Sequence, residues 1–275
     1  MKKLLLLTIG VLLCCACAAW AGSLEDGITA RDHGDYKKAL KRWRSWADQG
    51  SQLAPYLIGV TYEEGHGVAQ DFAQALKWYK QGSARGNQFA QTSIGVMYYQ
   101  GKGVQQNYAE AAKWFLKAAE KEEMNAQAYL GTMYTSGQGV RQNTAEGIKW
   151  FRLAAEQGSA KPQLVLGALY YEGHGVTRSY TEAMKWYRLA AAQGVTQAQF
   201  AGKAQFNLGM MYAKGEGVPA DDVRALMWFF IGATTGDTKA IDIRNQAVST
   251  MSPQIVAQAK KMAKVCQESK LIGCD

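Results

Sequence analysis

A chain of 275 residues with 31 Lys+Arg against 23 Asp+Glu carries a formal charge of +8, which favours acidic partners or surfaces without specifying either. The charges are mixed in sign along the chain, without the long basic runs of a nucleic-acid-binding arm. Three histidines without ligand spacing, and no G-x-S-x-G, Walker or H-E-x-x-H motif, argue against a metal centre, a bound cofactor or a recognisable hydrolase.

The chain opens "MKKLLLLTIGVLLCCACAAWAG". Lys2 and Lys3 give a positive start, Leu4 to Leu13 an apolar run too short to span a bilayer, and Ala19-Trp20-Ala21 a small-x-small cleavage site. Residues 1–21 therefore read as a signal peptide, with a mature protein beginning at Gly22 in the periplasm or outside the cell. A lipoprotein is the alternative, through Cys14, Cys15 or Cys17, although none has a good lipobox before it. Cleavage would leave only Cys266 and Cys274, which in an exported chain imply one disulfide and are too few for a zinc site.

Residues 23–52, "LEDGITARDHGDYKKALKRWRSWADQG" from Leu24, read as a helical pair joined at Gly34-Asp35-Tyr36. A repeat follows. Tryptophans stand at 78, 114, 150, 186 and 228, glycines at 59, 95, 131, 167 and 209, and G-x-G pairs begin at 65, 101, 137, 173 and 215. All three columns keep one register, and a period of this size means a solenoid of repeats over 53–237 (53–88, 89–124, 125–160, 161–196 and 197–237). The last interval is longer because "AQFAGKAQF" carries a near-copy of itself.

Each repeat reads as two helices. The first holds the column glycine, which costs about 1 kcal/mol against alanine in a helix, so another helix must approach there. The second begins at a capping residue, Asp71, Asn107, Asn143, Ser179 or Asp221, with Gln74, Glu110, Glu146, Glu182 or Arg224 three places on, as a capping box expects in four of the five. Gly86, Gly158, Gly194 and Gly236 end it, and Glu122 at the equivalent place predicts an irregular or strained boundary. Between the paired glycines stand His66, Lys102, Gln138, His174 and Glu216. No phosphate cradle or metal ligand tolerates that variety, so the motif reads as a turn. Residues 238–275 read as capping helices and a pinned tail. Ser252 caps with Pro253 at the first helical position, and Ile255, Ala259, Met262 and Cys266 form the covering face.

The unit "A…LG.MY..G.GV..(N/D)..EA.KW(Y/F)..AA..G" resembles the Sel1-like repeat family, relatives of the tetratricopeptide repeat, and the pair at 23–52 is similar to a tetratricopeptide unit. The resemblance implies an all-α fold, an α/α superhelical solenoid that acts as a scaffold for protein–protein contacts. Family members include signalling adaptors and exported bacterial proteins. A cysteine-rich exported branch is linked to β-lactam binding, but no repeat here carries its cysteine pair. The favoured function is an exported, non-catalytic adaptor for a protein partner, without cofactor, nucleic acid or membrane span. A β-lactam or cell-wall hydrolase and a toxin-neutralising or regulatory envelope protein are the alternatives.

Three columns invite a functional reading. Lys77, Lys113, Lys149 and Lys185 form a basic ridge or, more simply, a solvated helix face. The tryptophans read as core. Positions −3, +1 and +4 from the column glycine share one stripe of the first helix, the stripe that faces the concave groove in tetratricopeptide relatives. They are Tyr56/Val60/Glu63, Thr92/Val96/Tyr99, Ala128/Thr132/Thr135, Leu164/Ala168/Tyr171 and Phe206/Met210/Ala213. Tyr56, Val60, Val96, Tyr99, Leu164, Tyr171, Phe206 and Met210 are the candidate partner contacts; burial between repeats is the other reading of the same residues.

Overall fold

The computed structural model describes residues 24–271 and Cys274, apart from the side chains of Val195 and Thr196. The proposed signal segment and its cysteines lie outside the described residues. The described residues hold helices and no strand. Helix α1 (24–32) pairs with α2 (Tyr36–Asp48). The repeats follow as α3 (Ala54–Glu64) with α4 (Phe72–Ala84), α5 (Gln88–Gln100) with α6 (Tyr108–Ala119), and α7 (Met124–Ser136) with α8 (Thr144–Glu156). Next come α9 (Ala160–Glu172) with α10 (Tyr180–Ala191), and α11 (Ala198–Lys214) with α12 (Asp222–Thr234). Helices α13 (Thr238–Thr250) and α14 (Pro253–Glu268) close the chain. The chain divides into two compact units, one up to Ala126 and one from Gln127 onward. Each is an all-α stack of helical hairpins with its own core.

One interlock recurs inside every hairpin. A Cβ on Gly59, Gly95, Gly131, Gly167 or Gly209 would lie 2.4–2.6 Å from the ring of Tyr79, Phe115, Phe151, Tyr187 or Phe229 respectively. The glycine is a notch in the first helix, filled by an aromatic from the second. The α1–α2 pair repeats the device with Gly27 and Trp43. Its aromatic comes earlier in the chain because the Gly34-Asp35 turn is shorter.

The reading of the tryptophans as core holds for Trp186 and Trp228, which are buried, and is corrected for the other three. Trp78, Trp114 and Trp150 are only half-buried, and the residue after each of them is the one fully enclosed. Successive helical residues point about 100° apart, so only one of the aromatic pair can enter the notch. The tryptophan turns toward the preceding repeat: Trp78 packs on the Trp43–Ile58 cluster, Trp114 on Tyr79 and Ile94, and Trp186 on Phe151 and Leu166.

The capping residues sit where the sequence places them. Asp71, Asn107, Asn143, Ser179 and Asp221 each accept a hydrogen bond from the backbone N–H three residues on. The return bond of a capping box is not what satisfies their own N–H groups. Those donate instead to the carbonyls of Tyr62, Tyr98, Tyr134, Tyr170 and Tyr212 on the first helix, at 2.8–3.0 Å. With that donor already used, Glu110 and Glu146 turn outward to Lys113 (3.1 Å) and Lys149 (2.9 Å).

Both glycines of the G-x-G motif take left-handed backbone, φ 72° at Gly101 and 68° at Gly103. The second also meets a steric limit. A Cβ on Gly67, Gly103 or Gly175 would fall 2.4 Å from Tyr36, Phe72 or Thr144, the first residue of the preceding repeat's second helix. Glu122 has φ 62°, the strained boundary its sequence position predicts. The extra residues before the fifth repeat form a 3-10 turn at Gly194–Gln197 and lengthen α11 to 17 residues, against 13 in α9.

Helix α14 starts at Ser252, whose side chain accepts from the Ile255 N–H, with Pro253 next. It packs on α12 through Val256, Ala259, Ala263 and Cys266. Ile255 and Met262, expected on that face, are half-exposed beside it. The Cα atoms of Cys266 and Cys274 are 5.2 Å apart, within the span of a disulfide.

Candidate functional site

In the first unit, the interlock uses the inner side of α3 and α5 and leaves Tyr56, Val60, Val96 and Tyr99 half-buried on the outer stripe. Tyr56 lies 6.0 Å from the Tyr79 ring and 5.7 Å from Phe89. Tyr99 meets Tyr108 edge-on at 5.1 Å. Phe89, outside the predicted stripe, is 43% exposed and extends this aromatic surface; it stands six residues before its column glycine, the signal that would have found it. Thr92 is not part of the surface. Its hydroxyl donates to the buried Glu123 carboxylate at 2.6 Å, and the same carboxylate accepts from the Ala126 N–H, capping α7. Glu63 accepts from the Tyr79 hydroxyl at 2.6 Å. Burial and this acceptor push the Tyr79 hydroxyl far above the usual phenol range.

In the second unit, Leu164 and Tyr171 on α9 and Phe206 and Met210 on α11 are likewise half-buried, on adjacent first helices. Phe206 packs on Phe229 at 5.9 Å, and Lys239 lies 6.0 Å from the Phe206 ring. The Tyr171 hydroxyl donates to Glu216 at 2.8 Å and accepts from Lys214 at 3.3 Å. Burial and the Glu216 carboxylate raise the Tyr171 pKa against the pull of Lys214. Glu216 is the middle residue of a G-x-G turn, so this position is not idle punctuation in the fifth repeat. His66 and His174 are exposed beside Glu64 and Glu172.

Of the second-helix lysines, Lys113 and Lys149 are about three-quarters exposed and paired within their own helices, as on a solvated face. Among the described residues, no group of three or more His, Cys, Asp or Glu could hold a metal ion. No helix among them is long and apolar enough to cross a membrane. What these faces offer is contact area: aromatic and aliphatic side chains held by packing beneath and open above, the composition that dominates interfaces.

A family model described as the Sel1 repeat matches residues 53–87, 88–122, 125–159, 163–195 and 202–237. The fold is similar to the crystal structure of a Sel1 repeat protein from Oxalobacter formigenes, at 30% identity and a TM-score of 0.74, over 88% of this chain and 99% of that one. It is also similar to c5321, a protective antigen of uropathogenic Escherichia coli with an SLR fold. There the identity is 31% and the TM-score 0.56, over 84% of this chain and 56% of that one. The comparison with curated proteins gives no match.

Proposed function

Because this chain belongs to the Sel1-repeat family, we propose that it is an exported, non-catalytic scaffold that holds a protein partner on the faces of its first helices. One observation carries this reading. The glycine–aromatic interlock closes each hairpin from the inside, and on the outer stripe Tyr56, Phe206 and Met210 pack on the core beneath while they and Val96 stay half-open above. Val96 and Met210 occupy the same register, one residue after their column glycines, and are the cleanest positions for a test. Val96→Asp and Met210→Asp should each weaken partner capture from envelope extract by about tenfold or more, an interface loss of about 1.4 kcal/mol. Both variants should melt close to the parent. Unchanged capture by two well-folded variants would place the working surface elsewhere.

Export is supported by the signal-like residues 1–21 and by the placement of Cys266 and Cys274. We propose that these cysteines are bonded in the mature protein, pinning the tail to α14. So short a loop would add about 2–3 kcal/mol at most. Intact mass of exported protein, alkylated without reductant, should show a chain beginning at Gly22 with no modified thiol. A diacylglycerol-bearing cysteine or two alkylated thiols would overturn the corresponding assignment.

A further inference from the structure

Buried glutamines stand four residues before the column glycine in the last four repeats: Gln91, Gln127, Gln163 and Gln205. In the last two, the amide nitrogen donates to the end of the preceding second helix. Gln163 bonds the Ala155 carbonyl at 2.8 Å and Gln205 the Ala191 carbonyl at 3.1 Å. That bond fixes which way each amide faces. The side-chain carbonyl then depends on the residue seven places after the repeat's tryptophan. Gln157 donates to the Gln127 carbonyl at 2.8 Å, and Gln193 to that of Gln163 at 3.4 Å. Where Lys121 or Thr235 holds that place, the carbonyls of Gln91 and Gln205 have no partner among the described residues. Lys121 turns instead to the Gly86 carbonyl, and the Thr235 hydroxyl donates to its own helix at Gly232, 2.7 Å away.

A buried carbonyl without a donor costs free energy that a ligand supplying one recovers. At Gln205 there is also room for such a ligand. Gln205 and Thr235 line a cavity of about 510 Å³ in the second unit, within the size range of small-molecule sites. Its wall is mainly apolar, with Ala198, Ile231 and Leu271 on it. The Gln267 amide on the same wall is already bonded to the Thr234 hydroxyl at 3.0 Å, and Lys270 is exposed. We propose that this cavity binds a carboxamide carried on an apolar body. Its N–H donates to the Gln205 carbonyl beside Thr235, as the Gln193 side chain does to Gln163 one repeat earlier. An ionised carboxylate or a ketone has no proton to give, so the site separates the amide from both. The amide comes from a free small molecule or from a glutamine side chain in a peptide, and its chemistry at Gln205 is the same for both. The site is independent of the first-helix faces.

The test titrates the purified full chain with hexanamide, hexanoate and methyl pentyl ketone, in which a methyl replaces the amide nitrogen, followed by ligand-observed NMR. Hexanamide should bind about tenfold or more tightly than either of the others. Gln205→Met removes the acceptor at nearly constant volume, so the preference for hexanamide over the ketone should fall to about one. Thr235→Gln restores the internal donor of the two preceding repeats. It should abolish hexanamide binding and raise the melting temperature, and it carries the test alone if Gln205→Met does not fold. A blocked tripeptide with glutamine between leucines identifies the source. Displacement of hexanamide by it, but not by its norleucine counterpart, supports the proposal with a peptide glutamine as occupant. Hexanamide binding that neither tripeptide disturbs supports it with a free amide. Equal binding of hexanamide and the ketone, as a water on the Gln205 carbonyl would give, overturns the proposal. So does a preference that survives in Gln205→Met, or no binding at all.

Discussion

Phe115→Ala should destabilise the protein by about 3–5 kcal/mol, well beyond the cost of Trp114→Ala beside it. Phe115 is fully enclosed and fills the notch at Gly95, where a Cβ would lie 2.6 Å from its ring. Removing it empties a site whose walls are two helix backbones, which collapse poorly. Trp114 is larger but half-buried, and truncating it should cost about 2 kcal/mol. The interlock also fixes the sign of a second substitution. In the parent, Gly95→Ala pushes a methyl against the ring and should destabilise by about 1–3 kcal/mol. In the Phe115→Ala background that contact is gone, and the better helix former should recover part of the loss, up to about 1 kcal/mol. Urea unfolding of the four proteins closes this cycle. A Trp114→Ala cost equal to or above that of Phe115→Ala would show that the wrong aromatic has been placed in the notch.

The paired glycines of the turn should be unequal. Gly101→Ala meets chiefly the backbone term, because φ is 72° and the nearest heavy atom to the new Cβ, the Gln106 Cβ at 3.3 Å, needs to give only slightly; about 1–2 kcal/mol is expected. Gly103→Ala meets the same term at φ 68° and places its methyl 2.4 Å from the Phe72 Cβ and 3.2 Å from the Phe72 carbonyl carbon. Backbone atoms cannot step aside as a side-chain tip can, so overpacking adds to the strain and about 2–5 kcal/mol is expected. Thermal melts of the two variants should separate clearly, with Gly103→Ala the lower. Equal melts would mean that the second glycine serves only the turn and not the contact between hairpins.

What was legible in the sequence follows from what is local. A capping side chain acts on the N–H three residues away, and a left-handed glycine acts on its own turn. Asp71, Asn143, Gly65 and Gly173 therefore announce themselves without any knowledge of neighbours. The strain at Glu122 was legible for the same reason: the chain needs a positive φ where no glycine stands. The column glycine told that something must approach, but not which residue. Choosing Phe115 over Trp114 needs the rotation of α6 about its axis, which the contact between hairpins sets. The same limit moved the buried face of α14 from Ile255 and Met262 to Val256 and Ala263.

The candidate face was legible as a stripe but not as a surface. Thr92 belongs to the stripe by spacing and is lost from it because Glu123, far along the chain, uses its hydroxyl. Glu216 looked like one variable turn residue among five, and its bond to Tyr171 appears only when successive repeats are stacked. The inserted residues move the fifth repeat out of constant spacing, and α11 absorbs the offset as extra helix.

The central claim is that partners meet this protein on its first helices. Photo-crosslinking in cells producing the protein tests it most directly, with a photoreactive amino acid placed singly at Val96, Met210, Lys113 or Lys149. A discrete crosslinked partner is expected from Val96 or Met210 and none from Lys113 or Lys149, which point from the second helices into solvent. Crosslinks from Lys113 and Lys149, with none from Val96 and Met210, would contradict it.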